Sequence, residues 1–209
     1  YGASSGTIDT EVDFILENPN AGDASQFGIS MDVADINEDG ANDLLVGAWQ
    51  DNTTNTDSGR AYLFLGSTTN AGTFNATADI VIEDPATGAT TDDWFGTAVA
   101  FYDYNNDGDL DILVSGPQRS DGPGGTDAGQ VFVYYCDASD TTAPILGFSN
   151  ANETLEPDNA GRTTGGTYIN PSEIASVAAN DRFGQEITVA DFNGDNVDDL
   201  AIATDCYNS

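Results

Sequence analysis

One block of 22 residues occurs three times in this chain. It runs FGISMDVADINEDGANDLLVGA from Phe27, FGTAVAFYDYNNDGDLDILVSG from Phe95 and FGQEITVADFNGDNVDDLAIAT from Phe183. Self-similarity of this kind marks structural units that cannot bury their apolar faces alone and must stack on their neighbours. Within each block a run of small, apolar and β-branched residues follows Phe-Gly. A second run follows an acidic loop: Leu44-Leu45-Val46, Ile112-Leu113-Val114 or Leu200-Ala201-Ile202. Each block therefore reads as two strands joined by a tight loop.

The residues between the blocks supply further strands. Ala61-Tyr62-Leu63-Phe64-Leu65 and Val131-Phe132-Val133-Tyr134-Tyr135 are β-branched and aromatic enough for a third strand in a packed sheet. A fourth is marked by Phe14-Ile15-Leu16-Glu17-Asn18-Pro19, by Ile80-Val81-Ile82-Glu83-Asp84-Pro85 and by Thr154-Leu155-Glu156-Pro157, with proline ending the pairing each time. Four antiparallel strands make one propeller-type blade. The prediction is an all-β chain, one open array of blades over 1–209: an orphan outer strand at 8–19, blade one at 27–85, blade two at 95–157, an insertion at 158–181 and a partial blade three at 183–206. Phe27, Phe95 and Phe183 are expected to wedge between blades, with Gly28, Gly96 and Gly184 allowing close backbone approach. Within the insertion, Asn170-Pro171-Ser172-Glu173 carries the cap, first-turn proline and early acid of a helix start, predicting a short helix over 171–179.

The loop inside each block has the form D-x-N-x-D-G-x-x-D. Its members are Asp35, Asn37, Asp39, Gly40 and Asp43, then Asp103, Asn105, Asp107, Gly108 and Asp111. The third copy has Asp191, Asn193, Asp195 and Asp199, with Asn196 in place of the glycine. Oxygen side chains at positions one, three and five point around a common centre, and a left-handed residue at six lets the carboxylate at nine close the cage. Oxygen-only donors favour a hard ion, and a flexible loop of this ligand number favours Ca²⁺ over Mg²⁺. Solvated Asp/Asn turns without metal are the plainer alternative. A helix-flanked EF-hand is rejected, because it needs a glutamate at position twelve, where this chain has Val46, Val114 and Ile202.

Phe-Gly, the acidic loop and the trailing Leu-Leu-Val-Gly-Ala resemble the FG-GAP repeats of integrin α-subunit propellers and of many bacterial surface proteins. The resemblance implies structural Ca²⁺, one ion for each of three loops. The ligands would be Asp35, Asn37, Asp39, Ala41 and Asp43; Asp103, Asn105, Asp107, Asp109 and Asp111; and Asp191, Asn193, Asp195, Val197 and Asp199. It also implies work outside the cell or on its surface. It names no ligand, since adhesion in that family resides in variable loops.

Charge and composition narrow the rest. Thirty-six acidic residues face four arginines, with no lysine and no histidine, for a formal charge of −32. Nucleic acids and anionic lipid are excluded as partners for want of clustered basic side chains. Such a charge repels itself unless cations neutralise it or salt screens it; solubility or salt adaptation accounts for part of it. Without histidine or lysine this chain cannot build Ser-His-Asp, Cys-His or Schiff-base chemistry, and carboxylate-pair glycoside hydrolysis is the remaining catalytic alternative. No apolar run is long enough for a membrane helix. Asn52, Asn75 and Asn152 sit in N-x-S/T sequons within polar stretches and are glycosylation candidates in an exported protein. Cys136 and Cys206 permit a disulfide within or between chains.

These features predict a non-catalytic, calcium-binding extracellular structural or adhesion protein. Two whole blades and two partial ones cannot close a ring, which takes roughly four to eight. The expectation is head-to-tail assembly with further copies, the alternative being a glycan- or protein-binding piece of a longer adhesin, with Trp49 and Trp94 as sugar-stacking candidates.

Overall fold

The structure is a computed structural model and describes residues 15–20, 25–52, 57–68, 77–84, 92–118, 120, 126–136, 153–155 and 180–205. Among these residues there is no helix, only antiparallel sheet. The first sheet has four strands in simple meander order: β1 (Met31–Ala34), β2 (Asp43–Ala48), β3 (Arg60–Phe64) and β4 (Ile80–Glu83). The second repeats it with β5 (Val99–Tyr102), β6 (Asp111–Gly116), β7 (Gln130–Tyr134) and β8 (Glu153–Leu155). The third is a hairpin of β9 (Glu186–Ala190) and β10 (Asp199–Ala203). The sheets do not close on themselves, so the architecture is an open, propeller-like array. The segment 171–179 and all but the end of 8–19 lie outside the described residues. Ile15 to Pro19 carry no strand pairing there.

Alternation along the strands decides which side chains meet. Met31, Val46 and Tyr62 stand opposite one another across β1, β2 and β3 on one face of the first sheet, and Leu45 with Leu63 on the other. Val99, Val114 and Phe132 are their equivalents in the second sheet. The main core lies between these two sheets. Ile36, Leu45, Ala61, Leu63, Ile80 and Ile82 from the first pack on Val99, Phe101, Ile112, Val114, Phe132 and Tyr134 from the second. The same joint recurs one step on, where Ala98, Ala100, Tyr104, Leu113, Val131 and Val133 receive Phe183 and Ile187, with Val189, Leu200 and Ile202 partly buried beside them. A third cluster, Val46, Ala48, Tyr62 and Phe64, lies on the opposite face of the first sheet beneath Leu16 and Phe27.

Phe-Gly is the joint's hinge pin. Phe95 N–H donates to the Ser58 carbonyl (3.1 Å) and Phe183 N–H to that of Ala128 (2.8 Å), tying each new unit to the loop ahead of the previous third strand. The approach is so close that a Cβ on Gly59 would lie 1.9 Å from the Phe95 carbonyl oxygen, and one on Gly96 would lie 2.1 Å from that of Arg60. Gly28 departs from the expectation. A Cβ there would meet nothing within 4 Å, and Phe27 is only half buried where Phe95 and Phe183 are fully so. The close approach belongs to a joint, and among the described residues Gly28 has no sheet ahead of it. The residue before each Phe, Gln26, Trp94 or Arg182, is also left-handed, at φ 55°, 58° and 52°.

Candidate metal centres

Each acidic loop is the hairpin turn between the first two strands of its sheet, so the strand register positions its side chains. The three loops make the same hydrogen bonds. At position one, Asp35, Asp103 and Asp191 accept from the N–H groups of positions five and six: 3.0 and 2.8 Å, 3.1 and 3.0 Å, and 3.1 and 2.9 Å. At position three, the Oδ1 atoms of Asn37, Asn105 and Asn193 accept from that same position-five N–H at 3.1, 2.9 and 2.9 Å. At position five, Asp39, Asp107 and Asp195 accept from the N–H of Ala41, Asp109 and Val197 at 2.8, 2.9 and 2.9 Å. The side-chain oxygens of positions one and three therefore converge on a single N–H, and backbone amides aim the carboxylates without neutralising them.

Two left-handed residues per loop make this turn. Position six has φ 90° at Gly40, 101° at Gly108 and 70° at Asn196. Asparagine thus adopts the conformation that glycine holds elsewhere, as the third loop requires. Position four is left-handed too, at Glu38 (55°), Asn106 (59°) and Gly194 (83°). Sequence reasoning missed that constraint; its only signal was a residue tolerant of this region at two of the three positions.

Position nine behaves differently from the rest. Asp43 and Asp111 are fully buried and grip both the loop and the chain beyond the third strand. Asp43 Oδ2 accepts from Ile36 N–H (3.0 Å) and Oδ1 from Gly66 N–H (2.7 Å), beyond β3. Asp111 likewise accepts from Tyr104 (2.9 Å) and Cys136 (3.0 Å). Each stitches the loop to the end of the third strand. Asp199 repeats only the first of these bonds, from Phe192 N–H (2.9 Å). Burial pushes the carboxyls of Asp43 and Asp111 up to about 6, against N–H donors that favour the ionised form. The charges of Asp39 and Asp35 push Asp43 further, and Asp107 does so for Asp111. At exposed Asp191 the balance is reversed, and the Asn196 N–H draws its carboxyl down.

The donors fit a hard cation in kind, being carboxylate, amide and main-chain oxygens. Among the described residues no three carboxylate, imidazole or thiol groups are drawn together as they would be around a metal.

Other candidates resolve differently. Trp49 and Trp94 lie with ring centroids 4.4 Å apart, and the Arg182 guanidinium sits 5.5 Å over the Trp94 ring. The two tilted rings and the guanidinium pack on one another, and Trp49 and Trp94 both stay partly exposed. Buried Asp51, which sequence reading passed over, accepts from the Tyr62 phenol and lies 3.9 Å from Arg60, which pairs with Glu83. It is a buried polar clasp between turn and sheet. Asn52 is exposed, and its Oδ1 accepts from Asp57 N–H at 2.6 Å. Asn75, Asn152 and Cys206 lie outside the described residues. Cys136 is a buried free thiol, pushed up to about 12 by burial and by Asp111.

Family profiles match this chain twice: one described as an FG-GAP repeat over residues 95–134, and one as an FG-GAP-like repeat over 35–114. The chain is also similar to the phosphatidylinositol-glycan-specific phospholipase D of Bos taurus, at 28% identity over 181 residues, 86% of this chain. It spans about a fifth (19%) of that relative's length.

Proposed function

From a chain that carries FG-GAP repeats, we propose that it is a non-catalytic, extracellular or surface-borne structural module whose three acidic loops are loaded with Ca²⁺ and whose units assemble head to tail. The observation that carries the calcium reading is the identical amide framework in three loops, which holds the oxygens of positions one, three and five around one turn. The Asn37, Asn105 and Asn193 amides and the carbonyls of Ala41, Asp109 and Val197 would complete the donor sets. A bound divalent cation would supply charge compensation at the strand junction, where a buried carboxylate otherwise faces two others. Three such ions bring the formal charge of −32 only to −26, so most of the acidity serves solubility.

A structural role fits where the loops lie. In the first two loops position two belongs to the sheet joint itself, since Ile36 and Tyr104 are in the inter-sheet cores, and position nine holds its N–H. Ordering the loop therefore orders the joint. The phospholipase activity in the relative's name is not carried over, because the shared part is a fifth of that protein and this chain has neither histidine nor lysine. Calorimetric titration of chelator-stripped protein with CaCl₂ tests the reading. Three sites are expected, with dissociation constants of about 10⁻⁴ to 10⁻³ M, and a higher melting temperature when they are filled. No calcium-dependent heat and an unchanged melting temperature would sink it.

A further inference from the structure

The two ends of the array carry complementary halves of a joint that the molecule already makes twice. Counting from each Phe-Gly, Met31 and Val33 correspond to Val99 and Phe101 in the second sheet and to Ile187 and Val189 in the third. Val99, Phe101 and Ile187 are buried against the preceding sheet. Met31 and Val33 are 61% and 54% exposed, and Ile29 beside them is exposed too. At the other end, Phe192 corresponds to Ile36 and Tyr104, which are buried against the following sheet. Phe192 is 59% exposed.

The polar part of the joint has the same two halves. Between the first two sheets, Ser30 Oγ accepts from Val99 N–H (3.1 Å) and Asp32 Oδ2 from Phe101 N–H (2.7 Å), linking one inner strand to the next. The residues equivalent to Ser30 and Asp32 in the second sheet are Ala98 and Ala100, which are buried and have no side-chain oxygen. In the third sheet they are Glu186 and Thr188, both exposed and both bearing acceptors.

Only the inner part of the first sheet's face is open. Tyr62 and Phe64 on β3 are covered, and Leu16 packs there. Residues Gly6 to Pro19 are collinear with Gly72 to Pro85, so Leu16 corresponds to Ile82 of β4, which packs in the same way on the second sheet. Val46 and Ala48 of β2 are buried as well, so the open strip is β1 itself, with Met31 and Val33.

We propose that the β9–β10 face of one copy docks on the β1 face of a second copy, forming a third joint of the internal kind. Phe192 of one copy packs towards Met31 and Val33 of the next, Glu186 accepts from the Met31 N–H, and Thr188 takes over the Val33 N–H that Asp32 Oδ1 holds at 2.8 Å within a single copy. The contact is heterologous, so it propagates into an open chain unless its rotation closes. This rests on the head-to-tail reading and names its surfaces. Association must overcome a formal charge of −32 on each copy, so it requires salt or calcium.

The test is sedimentation velocity on the 209-residue chain with calcium at physiological salt and above, over a wide concentration range. The wild type is expected to form concentration-dependent oligomers. Val33→Asp or Met31→Glu on one face, and Phe192→Asp or Thr188→Arg on the other, should each weaken association about tenfold or more. Thr188→Arg lies outside the third loop, so it separates loss of the joint from damage to a metal site. An equimolar mixture of Val33→Asp and Thr188→Arg chains should form a heterodimer that grows no further, because each retains one intact face. A wild type that stays monomeric throughout overturns both this joint and the head-to-tail reading. Oligomers indifferent to substitutions on either face, or a mixture that gives no heterodimer, overturn the joint alone.

Discussion

Removing calcium should reverse the sign of the protein's response to acid. Asp43 and Asp111 have no exposed surface, and in the metal-free fold their carboxyls titrate near 6 rather than at the usual 3.8. A group whose pKa is raised by folding stabilises the fold while it is protonated. That contribution is complete below about pH 4 and is lost as pH rises through 6. A shift of two units is worth about 3 kcal/mol per carboxyl. For a chain of this size that is roughly 10 °C in melting temperature for each. The chelated protein should therefore melt higher at pH 4.5 than at pH 7.5. A cation beside Asp35, Asp39 and Asp43 favours the ionised forms, so the calcium-loaded protein should lose stability over the same descent as protons compete with metal.

Differential scanning calorimetry across that pH range, with calcium and with chelator, reads both slopes. General self-repulsion among 36 acids also relaxes on acidification. High potassium chloride shortens the screening length to a few ångströms and suppresses that contribution, while buried groups are screened far less. The slope that survives salt belongs to the buried carboxyls, and Asp43→Asn, which keeps one acceptor but cannot titrate, should remove roughly half of it. Parallel slopes with and without calcium would refute the reasoning, as would a chelated protein that gains stability from pH 4.5 to 7.5.

Asp107→Ala should lower the calcium stoichiometry by one site in titration while changing the melting of chelated protein by only about 1 kcal/mol, because Asp107 is exposed. Gly59→Ala should cost about 3 kcal/mol or more in denaturant unfolding, since residue 59 has φ 79° and its Cβ would strike the Phe95 carbonyl. Trp94→Ala should cost about 2 kcal/mol of stability by removing the partner of Trp49 and Arg182, and should leave glycan-array binding unchanged. Cys136 should resist alkylation at pH 8 in the folded state and react on unfolding, because a buried thiol with a pKa of about 12 presents no thiolate.

What could be read from the chain itself was whatever recurs in it. Phe27, Phe95 and Phe183 set a common origin, and from that origin the strand pairings, the loop positions and the left-handed residue at six follow by counting. Asn196 is the instructive case, because a residue that breaks the pattern in letters keeps it in backbone conformation. Position four escaped notice because Glu38 gives no hint of φ 55°; its conformation is imposed by Asp39 N–H turning back onto Asp35 and Asn37. Position nine does more than its spacing shows, for a related reason. Spacing makes Asp43 one more loop oxygen, whereas the fold brings Gly66, 23 residues away, onto its carboxylate and makes it a clasp for the third strand. Counting is also blind to which copies have neighbours. Met31 and Val99 are equivalent by number, yet one faces solvent and the other a packed sheet. Gly28 and Gly96 are equivalent as well, yet only Gly96 is crowded by a carbonyl. A repeat specifies the same surface at every position, so the places where that surface is bare are where an array made of identical joints is able to continue.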